Sequence, residues 1–378
     1  MERIFAEISI GALRHNAAMI RKRADGAALC AVVKADGYGH GAVRTARALE
    51  DADMLAVATP GEARELRENG MSAPLLVLGS CPPELAPEMA ARGVSLTLYD
   101  AGQARDISAA LAHTSGGRAL GVHVKLDTGF SRLGFPINEE GLSGVCASLR
   151  LPGFRADAAF THFATDDAFI PEQYSRFRGA LNALKSAGCE FPLLHCANSA
   201  AVVQYPETYV DMVRPGLLLY GYSSTRCRRC GSDRCLGLDP CGSHLIPAMR
   251  LRAPVAQIKT LRAGDTVGYD RTFTAPAPMR IATVAAGYAD GVPRALSNRG
   301  SVMIRGQEAP IVGRVCMDMF MTDVSEISAA SPGDTAVLFG PDEGECRLDA
   351  WTQAACIGTI PHELISGLTR RVERVDAE

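Results

Sequence analysis

Ala-Leu-Cys-Ala-Val-Val-Lys-Ala-Asp-Gly-Tyr-Gly-His-Gly, residues 28–41, is the stretch whose reading decides the fold. An apolar run from Ala27 to Val33 stops at a single lysine, Lys34. Three glycines then lace Tyr38 and His40 into a tight loop. A run without polar alternation reads as a strand buried on both faces, ended by Gly and Asp punctuation. A lysine at the carboxyl end of such a strand lies where α/β barrels build their active sites. Partial burial there lowers an amine's pKa and makes imine formation with a carbonyl feasible. Taken alone, these residues read equally well as a surface lysine in a turn.

Working outward, strand-like and helix-like segments alternate with regularity. Residues 29–33, 54–58, 75–78, 94–98, 119–126, 157–162, 192–196 and 210–214 are the strand candidates, with amphipathic segments such as 61–69 and 173–187 between them. Eight apolar strands alternating with helices predict a (β/α)8 barrel over residues 10–222; a doubly wound open sheet is the alternative, and eight repeats without a compositional break favour closure. Residues 223–247 are polar and cysteine-rich, a connector. From 248 to 378 short β segments dominate, at 251–260, 266–270, 280–287, 301–305, 309–315, 319–324 and 335–339, with helix expected only at 351–356 and 361–369. That predicts a mainly β second domain, into which a short first strand within residues 1–9 can pair.

Composition narrows the function. The chain has 378 residues, 47% of them hydrophobic, and a formal net charge of −3, so it can bury a large core and offers little to nucleic acid or an anionic membrane. No apolar run reaches the roughly 18 residues a membrane helix needs. The charged start, Met-Glu-Arg-Ile-Phe-Ala-Glu, has no signal-peptide pattern, which points to the cytoplasm. Most of the twelve cysteines sit singly in apolar segments, as core thiols do. Cys227, Cys230, Cys235 and Cys241, with His244 behind them, could close a tetrahedral metal site. Their gaps match no standard finger, so no metal is assigned.

Chemistry concentrates at the predicted strand ends. Lys34 ends the first, Lys125, Asp127 and Arg132 follow the fifth, His162 the sixth, His195, Asn198 and Ser199 the seventh, and Arg214, Gly216 and Leu217 the eighth. A lone histidine in such a place is more often structural; six of eight strands ending this way is harder to dismiss. The loops after strands seven and eight commonly form a phosphate site, to which Ser199 and Gly216 are suited. An imine-forming lysine, a phosphate cradle and an arginine together suggest pyridoxal 5'-phosphate.

With these motifs the chain resembles the alanine racemases over essentially its whole length. The most specific match is Ala-Val-Val-Lys-Ala-Asp-Gly-Tyr-Gly-His-Gly around Lys34. Others are His-Val-Lys-Leu-Asp-Thr-Gly-Phe-Ser-Arg-Leu-Gly, His-Cys-Ala-Asn-Ser, Val-Arg-Pro-Gly-Leu-Leu-Leu-Tyr-Gly, Val-Gly-Tyr-Asp, Ala-Gly-Tyr-Ala-Asp-Gly and Gly-Arg-Val-Cys-Met-Asp. The resemblance implies pyridoxal phosphate carried on Lys34, interconversion of L- and D-alanine, and supply of D-alanine for peptidoglycan. It implies Lys34 and Tyr269 as bases on opposite faces of the substrate's Cα, Tyr269 coming from the second subunit of a homodimer. A phenol is a poor base at neutral pH unless its anion is stabilised; His162 and Arg214 are implied to link Tyr269 to the cofactor ring.

Arg214 is implied to face the ring nitrogen and leave it unprotonated, since a guanidinium keeps its proton. Tyr38, Ser199, Gly216 and Leu217 match the phosphate contacts, with His195 and Asn198 in the same cofactor-binding group. Arg132, Met317 and Tyr288 match the substrate-binding positions. Lys125 stands where many members carry a carbamylated lysine that orients the arginine. One departure is Thr-Ile-Pro-His-Glu at 359–363, where His362 replaces the usual tyrosine. A shorter, more polar wall there leaves a serine or broad-specificity racemase as an alternative. Barrel-type amino-acid decarboxylases and non-catalytic cofactor carriers resemble the chain less.

Overall fold

The computed structural model describes residues 3–112, 119–164, 168–223, 244–342 and 345–377. Contacts divide the chain into two compact units, one of residues 13–37 and 42–246, the other of 1–12, 38–41 and 247–378. Cys227, Cys230, Cys235 and Cys241 lie outside the described residues.

The first unit is a closed parallel barrel. Its strands are Ala28–Val32, Met54–Val57, Leu75–Val77, Val94–Leu98, Leu120–Asp127, Phe154–Phe160, Leu194–His195 and Met212–Val213, adjacent in chain order. Pairing of Val94–Leu98 with Leu120–Asp127, and of Met212 with Ala28, closes the ring. Leu29, Ala31, Leu55, Val57, Val77, Leu96, Val122 and Val124 are almost wholly buried, as strands covered on both faces require. The last two strands are shorter than the sequence predicts, two residues each, because their polar flanks leave the ladder to form loops.

The helices carry the start signals expected of them. Pro60–Glu68 opens on a capping box in which the Thr59 hydroxyl accepts from the Glu62 amide and Glu62 reaches back to the Thr59 amide. Among the described residues, no helix is long and apolar enough to cross a membrane.

In the second unit, Met249–Leu261, Met279–Val284, Phe320–Asp323, Gln307–Val312, Ser301–Ile304 and Thr335–Asp342 pair antiparallel around a ring. Phe5–Ser9 adds to Met249–Leu261 antiparallel and takes Glu373–Ala377 as a parallel neighbour. The strand expected at 266–270 is only Thr266–Val267, paired with Phe273–Thr274. Gly268 at φ 72° ends it, and Tyr269–Arg271 form a tight turn instead. The predicted strand 309–315 is Gln307–Val312, stopped by Gly313 at φ 77°. The last helix ends at Ser366, before Gly367, and the charged edge strand Glu373–Ala377 was not anticipated.

Candidate active site

Lys34 follows the first barrel strand after one residue, and the chain then enters a single left-handed turn, with φ near 52° at Ala35 and Asp36 and 59° at Gly37. Tyr38 follows at φ 51°, so three non-glycine residues hold positive φ here, at about 1–2 kcal/mol each. Hydrogen bonds offset the strain: the Gly37 amide donates to the Val33 carbonyl at 3.0 Å, the Ala35 amide to Glu62 Oε1 at 2.7 Å, and the Ala42 amide to Asp36 Oδ1 at 2.8 Å. Glu62 thus caps its own helix and anchors the turn behind Lys34. Strained backbone held by so many bonds marks a position where side-chain direction matters.

At the end of the fifth barrel strand Lys125 is buried, its Nζ 5.7 Å above the Phe160 ring. Asp127 organises the next loop, its Oδ1 accepting from the amides of Gly129, Phe130 and Ser131 at 2.9–3.1 Å. That loop sets Arg132 over the Phe130 ring at 4.4 Å. The Phe130 ring meets His162 edge-on at 5.2 Å.

Arg214 is buried like Lys125. Its Nη1 donates to His195 Nδ1 at 2.7 Å and its Nη2 to the Thr161 carbonyl at 2.7 Å. His195 Nε2 and His123 Nδ1 are 2.9 Å apart. Because a guanidinium only donates, the chain fixes both tautomers: His195 carries its proton on Nε2 and gives it to His123, whose proton is then on the outer nitrogen. Burial, with Arg214 adding to it, holds His195 well below its ordinary range, and burial pulls His123 down to about 4. Both rings are neutral at pH 7.

These groups share one electrostatic neighbourhood. Burial and then Arg132 lower the Lys34 amine. Burial, with Arg132, Arg214 and Lys34 adding to it, pulls Lys125 down to about 8. Burial and the same cations keep His162 well below its usual value. Arg214 falls to about 10 through burial, which still leaves it charged at neutral pH. No carboxylate pairs with Arg214, and its Nε–H makes no hydrogen bond among the described residues. A buried cation with spare donors wants an acceptor.

The loops after strands seven and eight meet at Ser199, whose Oγ accepts from the Gly216 amide at 3.0 Å. Asn198 caps the helix Ser199–Gln204, and its Nδ2 holds the Phe163 carbonyl at 3.0 Å. Leu217 begins the turn Leu217–Tyr220. Lys34, Lys125, Arg132, His162, His195 and Arg214 thus come together at the carboxyl end of the barrel strands, beside Asn198, Ser199, Gly216 and Leu217.

The remaining predicted residues fall in the other unit. Tyr269 starts its turn and is 69% exposed, while the Asp270 carboxylate pairs with Arg314 at 3.1 Å. Tyr288 and Met317 are joined through backbone, the Tyr288 amide donating to the Cys316 carbonyl and the Ala289 amide to the Met317 carbonyl, both at 3.0 Å. Buried Asp290 fixes that pair by accepting from the Gly287 amide at 2.9 Å and from Arg3 at 3.1 Å. Tyr38 and His362 lie with ring centroids 6.0 Å apart, and burial pushes the Tyr38 hydroxyl up to about 12. Gly39 beside them is obligatory, since a Cβ there would sit 2.0 Å from the Ile365 carbonyl oxygen.

Sequence reasoning missed three residues. His123 stands two positions before Lys125, on the same face of its strand, and that spacing was the available signal. Gln173 is fully buried and takes the Ala164 amide at 2.9 Å while donating to Thr128 at 3.3 Å, tying the His162 segment to the Asp127 loop. Phe160 stacks on His195 at 4.7 Å and 8°, a contact no local pattern announces. Among the described residues, no cluster of His, Cys, Asp and Glu is arranged to hold a metal.

Comparison with known proteins matches both units to family models. Residues 8–224 match the alanine racemase N-terminal domain and residues 248–376 the alanine racemase C-terminal domain. An alanine racemase of Desulforamulus reducens is 42% identical over 99% of both chains. Among solved structures, an alanine racemase of Clostridium difficile aligns over 100% of this chain and 96% of its own, with TM-score 0.89 and 34% identity. One from Bacillus anthracis with bound L-Ala-P covers the same shares, with TM-score 0.90 and 32% identity.

Proposed function

This chain belongs to the alanine racemase family, and we propose that it interconverts L- and D-alanine using pyridoxal 5'-phosphate, as a dimer whose sites combine residues of both subunits. The observation that carries the reading is the cation cluster of Lys34, Lys125, Arg132 and Arg214 at the carboxyl end of the barrel. A ligand bearing a phosphate, an acceptor ring nitrogen and, through the substrate, a carboxylate answers each positive group.

The donor set fits the cofactor. Lys34 would hold it covalently, its amine lowered by burial toward the neutral, nucleophilic form. Ser199, Gly216 and Leu217, with Tyr38, would take the phosphate. The uncommitted Arg214 Nε–H would meet the ring nitrogen, and His195 and His123 keep the guanidinium in place behind it. When bound, pyridoxal phosphate supplies the electron sink that lets the Cα proton leave.

The rest is work for this chain's own residues. Lys34 takes or returns the Cα proton on one face, and the partner subunit's Tyr269 does so on the other. Two opposed bases are the minimum for inverting a centre through a flattened carbon. Arg214 keeps its proton at neutral pH, so facing a bound cofactor's ring nitrogen it would donate to that nitrogen without protonating it and would leave the electron sink weak. A weak sink would favour immediate return of the proton by Lys34 or the partner subunit's Tyr269 over other reactions. Arg132 holds the substrate carboxylate, with Met317 and Tyr288 of the second subunit closing the site. The exposure of Tyr269, Tyr288, Met317 and Met319, 42–69% in the single chain, supports their being covered by a partner.

Lys125 would act as its carbamate. Its lowered pKa supplies the neutral amine that carbon dioxide requires, and the anion so formed would orient Arg132. D-Alanine for peptidoglycan is the product's use in this reading. The test is chiral analysis of alanine after incubation of the yellow holoenzyme with L-alanine, beside Lys34→Ala. Approach to a racemic mixture only with Lys34 present is the expected result; an unchanged L-isomer, or carbon dioxide release without D-alanine, overturns it.

A further inference from the structure

Two thiols that the proposed mechanism does not use are already in contact. Cys189 Sγ lies 2.8 Å from Cys146 Sγ, although the residues are 43 positions apart in sequence. Neither is placed by chance. Cys146 faces inward on the helix Glu139–Leu149 and is buried. Cys189 follows the helix Ile170–Ser186, whose end is closed by a double cap: the Gly188 amide donates to the Lys185 carbonyl at 3.0 Å and the Cys189 amide to the Leu184 carbonyl at 2.9 Å. Gly188 takes the left-handed conformation this cap requires, at φ 80°. The cap therefore directs the Cys189 thiol at the neighbouring helix.

We propose that Cys146 and Cys189 are a reversible disulfide site, formed by exchange with a small-molecule disulfide and clamping two outer helices of the barrel. A disulfide needs sulfurs about 2 Å apart, so closing the bond asks for less than one ångström of further approach. Cys189 is the half-exposed partner, in a cavity lined by Arg178, Asn182, Lys185 and Leu194, and is the entry point. Its thiolate attacks one sulfur of the incoming disulfide, expelling a thiolate and leaving a mixed disulfide on Cys189. The Cys146 thiol loses its proton and attacks Cys189 Sγ, expelling the second thiolate. Two S–H bonds are lost, one protein S–S bond forms, and the small disulfide is reduced to two thiols.

Burial and the neighbouring thiol push Cys189 up to about 11. Exchange is accordingly slow at neutral pH and quickens about tenfold per pH unit below that value. This suits a structural clamp set by prolonged oxidising conditions rather than a fast sensor. Among the described residues, the hydrogen bonds and charge interactions of Cys189 reach Cys146 and Arg150 and none of the residues of the proposed active site, so catalysis is expected to survive closure.

The experiment uses reduced, desalted holoenzyme incubated with glutathione disulfide, then alkylated and mapped by mass spectrometry. A crosslinked peptide pair joining Cys146 to Cys189, lost with dithiothreitol, is the expected result, together with a Tm several degrees higher that Cys146→Ser and Cys189→Ser both abolish. Full alkylation of both thiols after other cysteines have reacted overturns the proposal. So does a stable glutathione adduct on Cys189 with Cys146 still free.

Discussion

Replacing Lys125 tests the electrostatic account where it is most exposed to refutation. With its pKa drawn down to about 8, half of this amine is neutral at pH 8, against about 0.3% for an ordinary lysine near 10.5. That is a gain of roughly 150-fold in the form that captures carbon dioxide. Carbamylation turns a positive charge negative among Lys34, Arg132 and Arg214, and so removes the repulsion that adds to burial in lowering the Lys125 amine. Loss of a charged hydrogen bond to Arg132 costs about 1.5–3 kcal/mol, or about 10- to 150-fold in kcat/KM for alanine. Lys125→Met should show that loss, and Lys125→Ala should recover part of it with added acetate. Labelled bicarbonate should give a carbamate carbon resonance that grows about tenfold per unit up to pH 8 and then levels. In protein free of carbon dioxide the sign is also set. The folded amine gives up its proton near pH 8 and the unfolded one near 10.5, so stability should rise with pH across that window. A Lys125→Met enzyme of undiminished kcat/KM, or no resonance assignable to Lys125, refutes the reasoning.

Tyr269→Phe should lower kcat about 10²- to 10⁴-fold while cofactor uptake stays normal. Mixing it with inactive Lys34→Ala should restore activity through dimers holding one complete site; no recovery after subunit exchange rules out sharing. His362→Tyr should raise the alanine-to-serine ratio of kcat/KM if His362 sets the pocket wall beside Tyr38; an unchanged ratio discards that role. His123→Leu strands the His195 Nε2–H without its 2.9 Å acceptor. The cost is about 1–3 kcal/mol, read as a lower Tm. The cofactor band should shift with it, whereas His123→Asn, which keeps an acceptor, should fall between Leu and wild type; equal behaviour of the two excludes the relay.

The barrel was legible because its code is local. Apolar runs such as Leu75–Val77 and Val94–Leu98 bury both faces and have no other home, and polar residues at their carboxyl ends then mark the mouth. Arg214, His162 and Lys125 could be picked out for that reason. What escaped depends on contacts between distant segments. The left-handed turn after Lys34 needs Glu62, twenty-seven residues away, to hold the Ala35 amide. The strand at 373–377 is charged and alternates poorly, and it exists because Phe5–Ser9 offers it a backbone edge. Tyr269 was expected on a strand, yet its exposure follows from Gly268 breaking that strand into a turn.

The histidine pair behind Arg214 shows why the cation cluster and the neutral rings belong to one arrangement. A carboxylate partner would neutralise Arg214 within the fold and leave it no need of an external acceptor. Imidazoles held far below their ordinary pKa fix the guanidinium without cancelling its charge, since protonating either would place a second cation 2.7–2.9 Å along the chain. The fold thereby keeps a buried positive charge oriented and without a counter-ion, at a cost that burial of the barrel's apolar side chains has to offset. A site of this kind binds most tightly a ligand offering an acceptor to Arg214 and anions to the cations around it. It would also resist protonating that acceptor, since the guanidinium keeps its own proton at neutral pH, and this suits a racemase, which has to return the proton it removes.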